Sequence, residues 1–354
     1  MKHLPKVDGL RAIAVAGVLV AHYLPTDNVI QFMPWGLLGV QLFFVISGFL
    51  ITGILLDARG KAKNSDVLKA FYMRRFLRII PPYYLLLAIY SILGVSFASG
   101  TLLASALYYL NIFESAFPGE YPYIGHFWTL CIEEQFYLVW PWVIIFLPRS
   151  KLLIFTILAM LFAPTSRVLL DLAGLPYLSI RNLPTSALDS LGGGALLALM
   201  HHGYAPRLMQ WWQRYYGWLF ALGLLLYFAT HFNTALSISH LWIGLFGTAI
   251  CGMSAVHYST LNYDTLFDRF LTNRCVQYIG KISYGIYLYQ FLTLFPLYKL
   301  VSILGHPTIL KNDYIYALTW TSMTIATAAI SWHCFERPLL RLKKLFQYTS
   351  GKAA

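Results

Sequence analysis

Two residues able to do chemistry punctuate the apolar stretch VDGLRAIAVAGVLVAHYLP, residues 7–25: Arg11 and His22. Their eleven-residue spacing corresponds to roughly 16 Å along a helix axis and about three turns, so both lie on one face. A charge inside a membrane helix costs on the order of 2.5 kcal/mol or more unless it meets a partner or water, which turns this face towards the protein interior. Plain structural roles are also open. Arg11 can snorkel or pair with Asp8, and a histidine at a membrane end is ordinarily a hydrogen-bonded interfacial residue. In FYMRRFLRIIPPYY, residues 71–84, Arg75 and Arg78 stand one turn apart and form a fork suited to phosphate groups, whereas Arg74 and Lys69 read as topology charges. Pro81 and Pro82 predict a kink whose freed carbonyls need partners or water.

The richest segment is HFWTLCIEEQFYLVWPW, residues 126–142. Helical spacing puts Thr129, Glu133, Tyr137 and Trp140 on one polar and aromatic face and leaves Glu134 with Leu130, Leu138 and Pro141, so Glu133 is the candidate for the interior. It lies roughly 10 Å below the outer surface, within reach of the level of His22. A carboxylate beside an imidazole fixes its tautomer and stabilises the imidazolium, which makes His22 and Glu133 a candidate catalytic pair. The alternative is that Glu133 pairs with a structural arginine. Ser283, Tyr287 and Gln290 form a polar stripe in GKISYGIYLYQ, as do Gln41, Gly48 and Thr52 in GVQLFFVISGFLITG, where glycines allow close backbone approach. Arg167 and Asp171 have the spacing of a helical ion pair and are read, with Asp189, as structural. Glu336, in FERP, sits where the last span ends and Pro338 stops the helix, placed to bridge to the Arg75 and Arg78 region and shape an entrance. Trp128, Tyr137, Ser283 and Tyr287 are the candidate substrate contacts, although Trp35, Tyr121, Tyr123, Phe127 and Trp128 also suit a membrane aromatic belt.

The elements that must position these residues follow from composition. With 58% hydrophobic and 11% charged residues in 354, the chain has too few charges to solvate a soluble protein of this length. It reads as an all-α polytopic membrane bundle with spans near 7–24, 36–57, 76–97, 127–147, 152–172, 187–202, 215–231, 238–258, 278–300 and 314–335. Segment 101–112 is too short to cross and is expected at the interface or re-entrant. Arg59, Lys61, Lys63, Lys69, Arg74, Arg75 and Arg78 on one connection, and Arg337, Arg341, Lys343, Lys344 and Lys352 in the tail, predict that both termini are cytoplasmic. The net charge of +12 is this orientation signal, and no nucleic acid is expected. Lys2 and Lys6 precede an apolar run, but Arg11 and the lack of a cleavage site favour an uncleaved first helix. Residues 1–340 are expected to form one membrane domain and 341–354 a short basic cytoplasmic tail. Cys131, Cys251, Cys275 and Cys334 have no metal-site spacing, so no metal is expected.

The segments DGLRAIAVAGVLVAH, GVQLFFVISGFLI, RRFLRIIPPYY, FWTLCIEEQFY, GKISYGIYLYQ and FERP, in that order across nearly the whole chain, resemble acyltransferase family 3, bacterial inner-membrane enzymes that O-acylate sugars and other acceptors. The resemblance implies an acyl-CoA donor, acetyl-CoA first among them, arriving from the cytoplasm, with no permanently bound cofactor. Arg11, Arg75 and Arg78 would hold its phosphates, and the pantetheine arm would carry the thioester towards His22. His22 would then activate an acceptor hydroxyl as general base or carry the acyl group itself. The expected acceptor is a polysaccharide or lipid-linked glycan on the periplasmic side. Gln41 and Gln290 stand where relatives carry Asp or His, so both are left outside the catalytic set. A proton-coupled transporter would need similar buried charges but shows repeat symmetry, which is not found here. A glycan-export subunit would tolerate loss of His22.

Overall fold

The computed structural model describes residues 4–25, 27–95, 97–231, 238–304 and 312–348; Lys2 and Lys352, used for topology above, lie outside them. The described chain is helical, with no strand among those residues. In order, α1 is Pro5–Tyr23, α2 Trp35–Ala58, α3 Asn64–Ile92, α4 Thr101–Ala106, α5 Leu110–Ala116, α6 Phe127–Phe146, α7 Arg149–Leu172 and α8 Tyr177–Arg181. There follow α9 Leu188–His201, α10 Pro206–His231, α11 Ile238–Thr260, α12 Leu266–Leu271, α13 Arg274–Tyr289, α14 Leu294–Leu304, α15 Asp313–Ser331 and α16 Arg337–Leu340. Three of them, α2, α6 and α7, are long and apolar enough by length and composition to cross a membrane. A helix occupies each of the other segments read as spans, with charges or short length lowering its apolarity.

α1 packs against α2 and α13, and α2 against α9. Small residues set those distances. A Cβ at Gly48 would lie 2.0 Å from the Leu191 carbonyl oxygen, and one at Gly280 1.7 Å from that of Asp8. Backbones this close leave no room for side chains, which is the packing open to helices that gain little hydrophobic energy from associating in lipid.

Four expectations need correction. α3 starts at Asn64, twelve residues before the expected span, so its arginines ride on helix rather than in a connection. The expected span 278–300 is interrupted, because α13 ends at Tyr289 and the chain turns through 290–293 before α14. Pro338 does not stop the last helix. A π turn over Trp332–Glu336 leads into α16 with Pro338 in its first turn, where a missing N–H costs no helix bond. Gln41 and Thr52 face neighbouring helices instead of lining a cavity: Ser190 Oγ donates to Gln41 Oε1 at 2.5 Å and Trp140 Nε1 to Thr52 Oγ1 at 2.8 Å.

The helical pair expected between Arg167 and Asp171 is also not the one formed. Arg167 Nη2 lies 2.5 Å from Asp189 Oδ2, both side chains fully buried. The guanidinium also donates to the carbonyls of Ser186 at 2.9 Å and Trp242 at 3.2 Å, tying α7, α9 and α11 together. Asp171, one turn along the same helix, is only partly buried, whereas Asp189 is a fully buried partner with the Ser186 carbonyl as a further acceptor for the same guanidinium. Removing one partner of a buried pair costs about 3–5 kcal/mol. Arg167→Met should therefore lower the thermal midpoint in detergent, and Arg167→Met with Asp189→Leu should recover much of the loss; a single variant that melts like the parent would contradict the buried-pair reading.

Candidate functional site

Three spaces open along the bundle, and α2 runs past all of them. Gly36, Leu37 and Val40 line the first, Val40, Phe43, Phe44 and Ser47 the second, and Ile54, Asp57 and Ala58 the third. At 1.5 Å per residue they are stacked over roughly 30 Å. The first, of about 1300 Å³, holds His22. The central cavity, narrow at about 70 Å³, holds Arg11, Glu133, Glu134, Tyr137, Ser283 and Tyr284. The third, of about 370 Å³, is a basin lined by Lys61, Arg74 and Lys343. Neighbouring spaces share walls: Val40 and Tyr287 stand between the first and second, Arg75 and Arg78 between the second and third.

In the central cavity Arg75 lies over the Tyr137 ring at 5.2 Å, and the Tyr137 and Ser47 hydroxyls are hydrogen-bonded to each other. Those two hydroxyls hydrogen-bond Glu133, which also feels the positive charges of Arg11 and Arg75. Tyr287 Oη meets Thr129 Oγ1 at 2.6 Å and donates to the His126 carbonyl at 2.9 Å, which fixes the wall between the upper two spaces. Tyr284 Oη donates to the Ile79 carbonyl at 3.0 Å, supplying a partner to the proline-bearing stretch of α3.

His22 faces the first space, but its partner is not Glu133. His22 Nδ1 lies 2.9 Å from Gln290 Oε1. Glu133 belongs to the central cavity, below the Tyr287 wall. Helix spacing brings the carboxylate near the right level but cannot tell which neighbour closes on the imidazole. Gln290 is available because it sits at the break after α13. There its carbonyl accepts from Trp320 Nε1 at 2.8 Å, Thr293 Oγ1 at 2.9 Å and Tyr23 Oη at 3.3 Å. Irregular backbone at this depth is tolerated where such protein donors satisfy it. An amide oxygen against Nδ1 keeps the proton there and leaves Nε2 as the acceptor.

Of the residues singled out from sequence, Arg11, Arg75, Arg78, Glu133, Tyr137, Ser283 and Tyr287 meet in the central cavity, and His22 and Trp128 in the first space, which Tyr287 also lines. Trp128 does not offer an open face on both sides, because the Arg181 guanidinium lies 4.9 Å over its ring. Glu336 is buried but lines none of these three spaces; it accepts from Ser331 Oγ at 3.0 Å and feels the charge of Arg78 without a direct ion pair to it among the described residues. Glu134, assigned to an apolar stripe, lines the central cavity beside Glu133. A cavity wider than one helix stripe admits residues about 100° apart, which a single-face reading discards. Sequence reasoning also missed Tyr284, His126 and Glu114. His126 had a signal, since it opens the acidic helix, but Glu114 lies in a short segment with no periodicity to place it.

Residues 4–336 match the model of a family described as an acyltransferase domain. The chain is 29% identical over 99% of its length to the peptidoglycan O-acetyltransferase OatA of Listeria monocytogenes, covering 58% of that protein. It is 26% identical over 96% of its length to YrhL of Bacillus subtilis, provisionally named a peptidoglycan O-acetyltransferase, covering 55% of it. A provisionally named O-acetyltransferase of Staphylococcus aureus strain COL is 28% identical over 96% of the chain and covered to 57%. The chain thus spans little more than half the length of these relatives. No solved structure matches it.

The His22 and Gln290 contact is directly measurable. Nitrogen-15 spectra of histidine-labelled protein, with the signal assigned by difference against His22→Ala, should show Nδ1 protonated and Nε2 bare. Gln290→Leu should abolish that preference. A parent spectrum with the proton on Nε2 would contradict the assigned contact.

Proposed function

The chain belongs to acyltransferase family 3, and on that premise we propose that it is a multi-pass O-acetyltransferase of the bacterial inner membrane. It moves an acetyl group from cytoplasmic acetyl-CoA to a hydroxyl of a cell-surface glycan. The observation that carries this reading is the stacking of the three spaces, with Arg75 and Arg78 on the wall between basin and central cavity and His22 in the space at the far end. Guanidinium forks suit the donor's phosphates. The pantetheine arm then threads the central cavity past Tyr137, Ser283 and Tyr287 and brings the thioester towards His22.

There His22 Nε2 takes the proton from the acceptor hydroxyl as the oxygen attacks the thioester carbonyl, and the thiolate of CoA leaves. Gln290 acts as a positioning residue, holding the tautomer that this step requires. Being neutral, it orients the base without exchanging protons. Glu133 shares the central cavity with Arg11 and Arg75 and balances their charge in the donor channel. Ten crossings with both termini cytoplasmic put the basin inside, consistent with its basic residues and the positive-inside rule. The relatives named for peptidoglycan favour a glycan acceptor of that class, reached through the His22 space, where Trp128 and Arg181 form one wall.

Purified protein in lipid nanodiscs with radiolabelled acetyl-CoA and peptidoglycan fragments should transfer label. His22→Ala should lower transfer by about 10²- to 10⁴-fold, the usual share of a general base, with its thermal midpoint unchanged; full transfer by that variant would remove His22 from the mechanism. Orientation has its own check. In intact cells a cysteine at position 27 should react with a membrane-impermeant maleimide and one at position 61 should not, and the reverse pattern would invert the topology.

A further inference from the structure

Residues 341–348 lie beyond the family match, which ends at 336, yet they fold back onto α3. Arg74 is the anchor. Its Nη1 donates to the carbonyls of Phe346 at 3.1 Å and Lys343 at 3.4 Å, and its guanidinium lies 5.1 Å from the centre of the Tyr348 ring. Arg74 is therefore engaged by the tail and is not merely the topology charge expected from sequence. The fold-back brings Lys343 and Tyr348 into the wall of the basin beside Lys61, Arg75 and Arg78.

Lining that basin are five cationic side chains and one acid, Asp57, which is already 3.2 Å from His202 Nε2. Like charges gathered in a partly enclosed space repel, and the arrangement is favourable when an anion of high charge occupies it. Lys343 reports the strain: burial, with Arg78, Arg75, Arg74 and Arg11 around it, holds its ammonium down to about 7. The space of about 370 Å³ is within the range of small-molecule sites, about 300–1,000 Å³.

We propose that residues 341–348 form a strap that completes a binding site for a nucleotide bearing several phosphates, with Lys343 and Lys61 meeting phosphate and Tyr348 walling the base. The strap adds to the donor site described above and rests on that reading of Arg75 and Arg78. A phosphate-bearing lipid headgroup presents the same chemistry, and the test separates the two.

The probe is desulfo-coenzyme A, which carries the phosphates but no thiol, titrated by calorimetry into the full chain in phosphatidylcholine nanodiscs. Lys343→Gln and Tyr348→Ala should each weaken binding about tenfold, the scale of one charge-assisted contact, while Lys343→Arg and Tyr348→Phe retain it. Between about pH 7 and about pH 9 the phosphates stay fully ionised while free Lys343 loses its proton, so parent affinity should fall and that of Lys343→Gln should fall less. Arg75→Ala serves as the reference. If it loses affinity and the tail variants do not, the strap proposal is overturned and the donor reading stands. If none loses affinity, both fail. Absence of nucleotide binding, with Lys343→Gln instead reducing association of phosphatidylglycerol with the protein, would assign the basin to lipid and overturn the strap as a nucleotide site.

Discussion

Burying cations in an apolar bundle is the constraint on which the rest of the structure depends. Arg11, Arg75, Arg78 and Arg167 cannot face lipid without a large desolvation cost, and the fold meets that cost in two different ways. Arg167 is saturated: Asp189 and two backbone carbonyls occupy its guanidinium, and it contributes to holding three helices in register. Arg11, Arg75 and Arg78 instead line a shared cavity together with Glu133 and Glu134. The first solution ties three helices together, and the second leaves guanidinium groups on a cavity wall, where the proposed donor would meet them.

The same economy governs the polar backbone. A helix broken at Gln290 would be untenable in hydrocarbon, but Trp320, Thr293 and Tyr23 converge on its carbonyl. That break frees the Gln290 side chain to reach the imidazole on α1. The His22 imidazole is thereby held by an amide from the far end of the chain, and Glu133 and Glu134 share the central cavity with the arginines. Charged groups are segregated along the stack, with cations at the basin, acids and arginines in the centre and the His22 imidazole at the far end.

Much of this was legible in the sequence, for reasons that differ residue by residue. The Arg75 and Arg78 fork and the Glu133 and Tyr137 face are periodic within single helices, so each turns to one cavity by geometry alone, whereas the Arg11 and His22 spacing shares a helix face but spans two spaces. Contacts between helices were not legible in that way. Arg167 has two acidic candidates, and only the packing of α7 on α9 selects Asp189. Gln290 reads as a departure from a family pattern until the turn at 290–293 brings it against His22. Glu134 was lost because a cavity wider than one stripe does not respect a single-face reading, and the tail seemed mere charge because nothing periodic marks residues 341–348.

The most direct measurement is a cryo-electron microscopy reconstruction of the protein in nanodiscs with a non-hydrolysable acetyl-CoA analogue. Phosphate density between Arg75 and Arg78, with the acetyl end beyond Tyr287 and beside His22, is the predicted result. An analogue bound elsewhere, or an acetyl group stranded on the arginine side of the Tyr287 wall, would contradict a continuous path from the basin to the imidazole.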